Sequence, residues 1–523
     1  MKGFATIDLV VLVSYLAIIV VIGSSFYRKR TTSKDYFLGG RAMGWLPVGI
    51  SIIAADLSAI TVMGLPAWGY QHNLELWWVN LGVPLCAPLV ILLFIPFYSR
   101  LNLYTAYEYL ERRFDLKIRL LTSALFQLLR GIHVTIVIYA PALVISLATG
   151  MPVWKCVLLM GLVTTLYTAL GGMKAVIWTD VIQFCTVMLG LVLISRFALA
   201  HVDGGIVTAY KTALAAGRLK LFNLSTDPSQ LTSFWACLLG GTVLSLAPLV
   251  TDQAILQRLF TTKSEADCKR SIIAQVILVL PTTLILYLTG TVLFVFYHLN
   301  PSRLEGLTSS DAIMPFFAIR ELPSGSSGLV VAAIFAASMA VMSAGINSIT
   351  TASVIDFYQR IFRPQASPEH YATVGRVGTV CWGLLLTGLA LFAGHLGDLA
   401  LGYNHVSSIL SGPMLGIFLL GVLTARATPT GVLVGVFGGM LTVIFFSVKT
   451  DWSFFLLGPV GVAATMLAGY AASLLMRAPS EEQVRGLTVG SLAKSTDTDR
   501  DTQIRMTTRG QESTNAVRSS ACD

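Results

Sequence analysis

The chain has 523 residues, 55% of them hydrophobic and only 12% charged, with a formal net charge of +9 and a mean hydropathy of +0.73. That balance excludes a soluble globular domain of this size and gives a polytopic membrane protein. Seven cysteines without CxxC or Cys/His spacing exclude a disulfide framework and a zinc site. The basic residues fall in short loops between apolar runs, so the charge reads as topology rather than as a nucleic-acid surface.

Apolar runs of about 20 residues predict thirteen spans, near 6–27, 45–70, 76–98, 120–148, 153–171, 175–200, 233–259, 271–297, 327–357, 373–395, 399–424, 429–447 and 453–476. The first run ends in RKR, lacks a small-residue cleavage site and reads as a retained helix. Arg28, Lys29, Arg30, Lys34 and Arg41 follow it, and Arg112, Arg113 and Lys117 follow the third. The connections near 71–75, 149–152 and 396–398 carry no Lys or Arg. The N-terminus is therefore expected outside and the C-terminus in the cytoplasm, which an odd number of spans requires.

The chain divides into a first span with its cytoplasmic loop (1–44), five spans (45–200), an outer loop (201–232), five more spans (233–424), two C-terminal spans (425–477) and a polar tail (478–523). The tail lacks apolar periodicity and is expected to be disordered. The outer loops 201–232 and 298–326 are long enough to pack over a cavity.

The second span, GWLPVGISIIAADLSAITVMGLPAWGY, carries Asp56 near its middle, flanked by Gly49, Gly64 and Pro66. A helix that opens near its midpoint frees carbonyls for a cation. A carboxylate at that depth costs about 2.5–3.5 kcal/mol on insertion scales, so it needs a cation, a basic side chain or a proton. The seventh span is similarly long and interrupted, by Gly240, Gly241 and Pro248. Interrupted segments in corresponding positions of two halves predict an inverted-repeat transporter with its site at the midplane.

The other ionisable residues inside spans are Arg130, His133, Asp180 and Asp252. Arg130 is suited either to a solute carboxylate or to neutralising Asp56. His133 reads as a packed polar residue or a proton carrier, and Asp180 as a helix-terminus charge or an ion ligand. Asp252, in TDQAILQR, is expected to join Arg258 in a structural network at the inner mouth. The ninth span is rich in small residues and hydroxyls, which serve close helix packing or complete an oxygen cage for a hard cation. No P-loop, HExxH or GxSxG motif is present. The reading is of a transporter without enzymatic activity, driven by an ion gradient.

These residues closely resemble the sodium/solute symporter family. The segments that carry the likeness are YFLGGRAMGW (36–45), TAYEYLERRF (105–114), IVIYAPAL (136–143), GGMKAVIWTDVIQ (171–183), TDQAILQR (251–258) and NSITTASVIDFY (347–358). GGMKAVIWTDVIQ and IVIYAPAL are most similar to the branch carrying iodide, monocarboxylates and vitamins. SIIAADLSAITVMGLPAWGY is similar instead to the proline branch, which has an acid at the Asp56 position and uses it for sodium. The resemblance implies an all-α, LeuT-like fold of two inverted five-helix repeats.

It also implies a main sodium site on the carbonyls of Ala54 and Leu57 with Ala337 on the ninth span, where Asp56 adds its charge. The two hydroxyl positions of that site fall on Ala340 and Val341, so its usual side-chain oxygens are missing. A further sodium site matches at Asp180 and Ser343, although another of its serine positions is Ala344. Ser58, Thr61 and Arg130 fall at the solute contacts.

The sequence thus leads to a multi-pass symporter of the plasma membrane, the bacterial inner membrane. It couples sodium, with no organic cofactor, to uptake of a small polar organic solute, a carboxylate. Membrane lipid is its other partner. A proton-coupled symporter of the same fold and a non-transporting membrane solute sensor are the alternatives.

Overall fold

The structure is a computed structural model and describes residues 4–28, 31–307, 309–393 and 399–491. Lys29, Arg30, the stretch 394–398 between the tenth and eleventh predicted spans, and the tail 492–523 lie outside the described residues. Among the described residues the β structure is one isolated bridge, Met43 to Thr262, and everything else regular is helical.

The membrane helices are α1 (Thr6–Ser25), α2 (Trp45–Asp56), α3 (Ala59–Gln71), α4 (Glu75–Leu101), α5 (Leu116–Thr149), α6 (Val153–Ala200), α7 (Phe234–Thr251), α8 (Gln253–Leu259), α9 (Glu265–Leu299), α10 (Ser326–Ala352), α11 (Pro368–Phe392), α12 (Leu399–Leu423), α13 (Pro429–Lys449) and α14 (Phe454–Leu474). Eleven of the described helices are long and apolar enough to cross a bilayer, and the bent pair α2/α3 supplies a twelfth span. α6 supplies one more. At 48 residues it would run about 72 Å if straight, more than twice the hydrocarbon thickness.

α6 is divided at Gly172, whose backbone leaves the helix (φ 59°, ψ −152°). A side chain there would meet the Tyr36 carbonyl at 2.7 Å, so glycine is required both for the conformation and for the contact. Its two arms coincide with the predicted spans 153–171 and 175–200.

The two interrupted spans break at helix caps rather than at Gly or Pro. α2 ends at Asp56, and α3 restarts after two residues, Leu57 and Ser58, bent by 68°. Ser58 is in extended conformation and its Oγ accepts the Thr61 amide at 3.2 Å, an N-cap in mid-membrane. α7 stops at Asp252, whose Oδ1 accepts the Ala254 amide at 2.7 Å and starts α8. Each cap satisfies amides that lipid cannot, which is how a span can be cut in two inside the bundle.

α10 is the centre of the bundle. Its residues 330–352 are all buried, and it packs against α1, α5, α6, α2, α3 and α8. α3 lies on α9 at backbone contact. A Cβ at Gly290 would stand 1.9 Å from the Pro66 carbonyl, and one at Gly69 would stand 2.2 Å from that of Tyr287.

One face of the bundle carries the basic connections and the C-terminal residues 478–491. There the segment leading into the short helix Tyr107–Arg113 is bonded to α8: Gln253 Nε2 donates to the Tyr104 carbonyl at 2.8 Å, and the Ala106 amide donates to Gln253 Oε1 at 3.0 Å. Gln257 Nε2 donates to Phe37 O, Asn347 Oδ1 and Thr351 Oγ1 at 2.7–2.9 Å. All seven residues of α8 are buried. The opening of the tail departs from the disordered reading. Residues 481–491 fold back, with Tyr109 Oη donating to the Leu487 carbonyl at 3.2 Å, because Leu487 and Val489 pack half-buried against the core and Val484 is buried.

On the opposite face, loop 201–232 reaches the end of α3, where Arg218 donates to the carbonyls of Gln71 and His72. The helix Ile313–Arg320, in loop 298–326, packs on α3 and α10.

Candidate functional site

The break between α2 and α3 is the natural place to look for chemistry, because helix geometry there leaves acceptors unused. Leu57 N donates to Ile53 O at 2.8 Å, but Ser58 N turns to Asp56 O at 3.0 Å and Thr61 N goes to the Ser58 hydroxyl. Among the described residues, no backbone amide therefore reaches the carbonyls of Ala54 and Leu57. Both residues are buried. Ser58 Oγ and Thr61 Oγ1 lie 3.1 Å apart, so the two predicted solute contacts form one polar pair at the start of α3.

Asp56 sits between buried neighbours, Ala55 and Leu57, yet its own side chain is exposed. Its charged neighbours are Arg130, Asp252 and Arg258, and among the described residues no hydrogen bond or ion pair reaches its carboxylate.

Arg130, on α5, is buried. Its guanidinium reaches the Ala55 carbonyl at 3.4 Å, His133 Nδ1 at 3.4 Å and Asp252 Oδ2 at 3.5 Å. It thus touches both breaks at once. Asp56, which the sequence offered as one of two partners for Arg130 beside a solute carboxylate, is not the residue it pairs with. Asp252 likewise pairs with Arg130 rather than with Arg258. The reason is helical: six residues turn a helix by about 240°, so Asp252 and Arg258 point away from each other.

Arg258 instead forms a fully buried ion pair with Asp180, 2.7 Å apart, with side chains 1% and 0% exposed. Ser51 stands between them, donating to Asp180 Oδ2 at 2.5 Å and accepting from Arg258 Nε at 2.7 Å. Asp180 Oδ1 is buried with no hydrogen-bond donor. The Ser343 hydroxyl faces this carboxylate and Tyr167, and donates to the Ala340 carbonyl at 3.0 Å. Asp180 and Ser343 are therefore neighbours across α6 and α10.

Ala337 lies in the buried middle of α10, and Ala340 and Val341 are 1% and 0% exposed. No side-chain oxygen stands at those two positions. Sequence reasoning did not single out Ser51, Tyr167 or Gln183, which complete the polar cluster around Asp180. The available signal was Arg258 itself: a buried guanidinium needs a carboxylate, and Asp252 on its own span points elsewhere.

The chain resembles known proteins along nearly its whole length. It is 32% identical over 485 residues to the sodium/sialic acid symporter of Aliivibrio fischeri, covering 91% of this chain and 94% of that protein. It is also 32% identical over 415 residues to the human sodium/iodide cotransporter, covering 78% and 64%. Among solved structures, the substrate-bound outward-open state of a Na+-coupled sialic acid symporter superposes with a TM-score of 0.85 at 30% identity, covering 92% of this chain and 100% of that one. A nucleobase-cation-symport-1 family transporter in a closed conformation shares the fold, with a TM-score of 0.55 at 12% identity and coverage of 88% and 99%. The fold is the LeuT-like inverted repeat, with the α2/α3 and α7/α8 breaks in corresponding positions of its halves. A model of the "Sodium:solute symporter family" matches residues 36–439, and the chain belongs to that family.

Proposed function

We propose that the protein couples inward sodium flux to uptake of a small polar organic solute bearing a carboxylate, across the plasma membrane, by alternating access. One arrangement carries this reading. At the α2/α3 break, among the described residues, the carbonyls of Ala54 and Leu57 lack amide donors beside a solvent-accessible Asp56 carboxylate without an ion-pair partner.

Sodium is a hard cation that takes oxygen ligands. In this reading it binds the Ala54 and Leu57 carbonyls and the Ala337 carbonyl of α10, with Asp56 in place of the hydroxyls that Ala340 and Val341 do not supply. A bound cation also removes the cost of an unpaired carboxylate at that depth. A second sodium is assigned to Asp180 and Ser343; in support, Asp180 Oδ1 is buried without a donor. The solute takes Arg130 through its carboxylate and the Ser58 and Thr61 hydroxyls through its polar body. Sodium draws α2 toward α10 and raises solute affinity, and linkage makes the solute raise sodium affinity by the same factor.

The basic face is assigned to the cytoplasm, with the N-terminus outside, by the positive-inside rule. Each sodium entering down a potential of about 100 mV contributes about 2.3 kcal/mol before its concentration gradient is counted. The apolar residues at 340 and 341 also favour a second reading, in which a proton on Asp56 or Asp180 replaces sodium.

Asp56→Asn tests the assignment. The variant should insert normally and lose sodium-stimulated uptake; unchanged sodium dependence would remove Asp56 from the ion site.

A further inference from the structure

The outer end of α6 carries a charge that the protein itself does not use. Arg196 stands just before the helix ends at Ala200, about 6 Å along its axis, and its side chain is exposed. Among the described residues no hydrogen bond, ion pair or ring contact reaches its guanidinium, and Asp203, the next acid along the chain, is not paired with it. The other arginines of that face are engaged: Arg218 by the carbonyls of Gln71 and His72, Arg303 by Glu321 at 2.8 Å, and Arg320 by the Glu305 carbonyl. A guanidinium at the edge of the hydrocarbon keeps its stem in apolar surroundings and turns its head to the headgroup layer.

Arg196 also borders a cavity of about 800 Å³ between α6, α9 and the short helix Gly205–Ala215 of the outer loop. Its walls are largely apolar, with Leu199, Ala209, Ala213, Leu288, Val292 and Val295 among them. The short helix is anchored by Ala209 and Ala213, which bury with Val295, while Ile206, Val207, Tyr210 and Leu214 stay 55–71% exposed. An exposed apolar stripe on a helix at the ends of two spans belongs in the membrane interface. Ile206 and Tyr210 are part of both that stripe and the cavity wall, so the cavity opens where acyl chains are. On α9 the lining positions 285, 288, 291, 292 and 295 lie, at 100° per residue, on the side opposite Gly290, which touches α3.

We propose that this cavity is a binding site for an anionic phospholipid of the outer leaflet. One acyl chain fills the space between α6, α9 and the short helix, and the phosphodiester lies on Arg196. A choline lipid offers the same chains, but its own cation competes with Arg196 for the phosphate. A free aqueous anion would leave the apolar walls uncovered. The lipid braces α9 from behind, while the front of that helix holds the second half of the broken span. The leaflet follows from the orientation proposed above; the site itself does not depend on it.

The test uses the full-length protein in nanodiscs holding equal amounts of phosphatidylglycerol and phosphatidylcholine with the same chains, one of the two carrying a photoactivatable acyl group. Both leaflets have one composition and neither sodium nor solute is present, so the result is independent of orientation and of symport. Crosslinks are mapped to residues 206–219 and 285–295. Phosphatidylglycerol should label these segments about fivefold more than phosphatidylcholine, the scale of one basic side chain at a lipid surface. Arg196→Gln should bring that ratio to about one. Val292→Phe, which narrows the cavity and leaves the charge, should reduce labelling by both lipids. If either variant fails to fold, the wild-type ratio still decides. Equal labelling in the wild type, or a preference that survives Arg196→Gln, would overturn the inference. So would loss of phosphatidylglycerol labelling on adding inorganic phosphate but not chloride at the same ionic strength, which would mark a free-anion site.

Discussion

Arg258 offers the sharpest test of how the bundle is held together. At 2.7 Å, two unit charges attract by about 6 kcal/mol at an effective dielectric constant near 20. Desolvation takes back much of that, so the pair itself contributes little net stability. Breaking it is another matter. With side chains 1% and 0% exposed, removing Arg258 leaves the Asp180 carboxylate buried with only the Ser51 and Ser343 hydroxyls beside it, and the cost should be about 3–5 kcal/mol. Replacing both residues by apolar ones of similar volume should be close to neutral. The assay is the apparent thermal midpoint of the detergent-purified protein without sodium, for wild type, Arg258→Met, Asp180→Leu and the double variant. Both single variants should melt well below wild type, and the double variant should recover most of the loss. Equal losses in Arg258→Met and in the double variant would refute the reasoning, since the missing packing and not the orphaned charge would then be responsible.

Other consequences are less elaborate to check. Gly290→Ala puts a Cβ 1.9 Å from the Pro66 carbonyl, and neither backbone can yield easily, so α3 and α9 should be forced apart at a cost of about 1–3 kcal/mol or more; a wild-type midpoint and uptake rate would contradict the contact. Glu111, outside the spans, is pushed up by partial burial but held below the usual carboxylate range by hydrogen bonds from Arg360 and Arg119, which outweigh it. A depressed carboxyl contributes stability above its unfolded pKa of about 4.3 and loses it as pH falls through the folded value. Glu111→Gln should therefore lower the midpoint at neutral pH, and the difference from wild type should shrink on acidification; a difference that grows instead would reverse the sign. Arg130→Ala should weaken carboxylate solutes far more than neutral analogues, whereas equal losses would give Arg130 a purely structural role beside Ala55 and Asp252.

The spans were legible because a bilayer demands about 20 apolar residues from any helix that crosses it. The division of α6 was legible too: the Gly171-Gly172 pair and Lys174 interrupt an apolar run far too long for one crossing. The two broken spans were recognised, but from the wrong residues. Gly49, Gly64, Pro66 and the Gly240-Gly241 pair lie away from the breaks, which are made by Ser58 and Asp252 acting as N-caps. A capping residue in the middle of an apolar run was the physical signal, and it stands in the sequence.

Pairing of the buried charges was not legible. Asp180 and Arg258 are 78 residues apart, and Arg130 and Asp252 are 122 apart. Only the packing of α6, α5 and α8 decides which carboxylate each guanidinium meets. The order of 481–491 was hidden for a similar reason. Three apolar residues carry no periodicity of their own and become meaningful only when the face around Tyr109 receives them.

The central claim is that the break beside Asp56 binds the coupling cation and that this cation is sodium. The most direct measurement is solute accumulation by the purified wild-type protein in proteoliposomes, with sodium and proton gradients imposed separately at the same membrane potential. The account predicts concentrative uptake with the sodium gradient alone and none with the proton gradient alone. Accumulation driven by protons in the absence of sodium would contradict it, and would make the apolar residues Ala340 and Val341 the mark of a proton-coupled transporter.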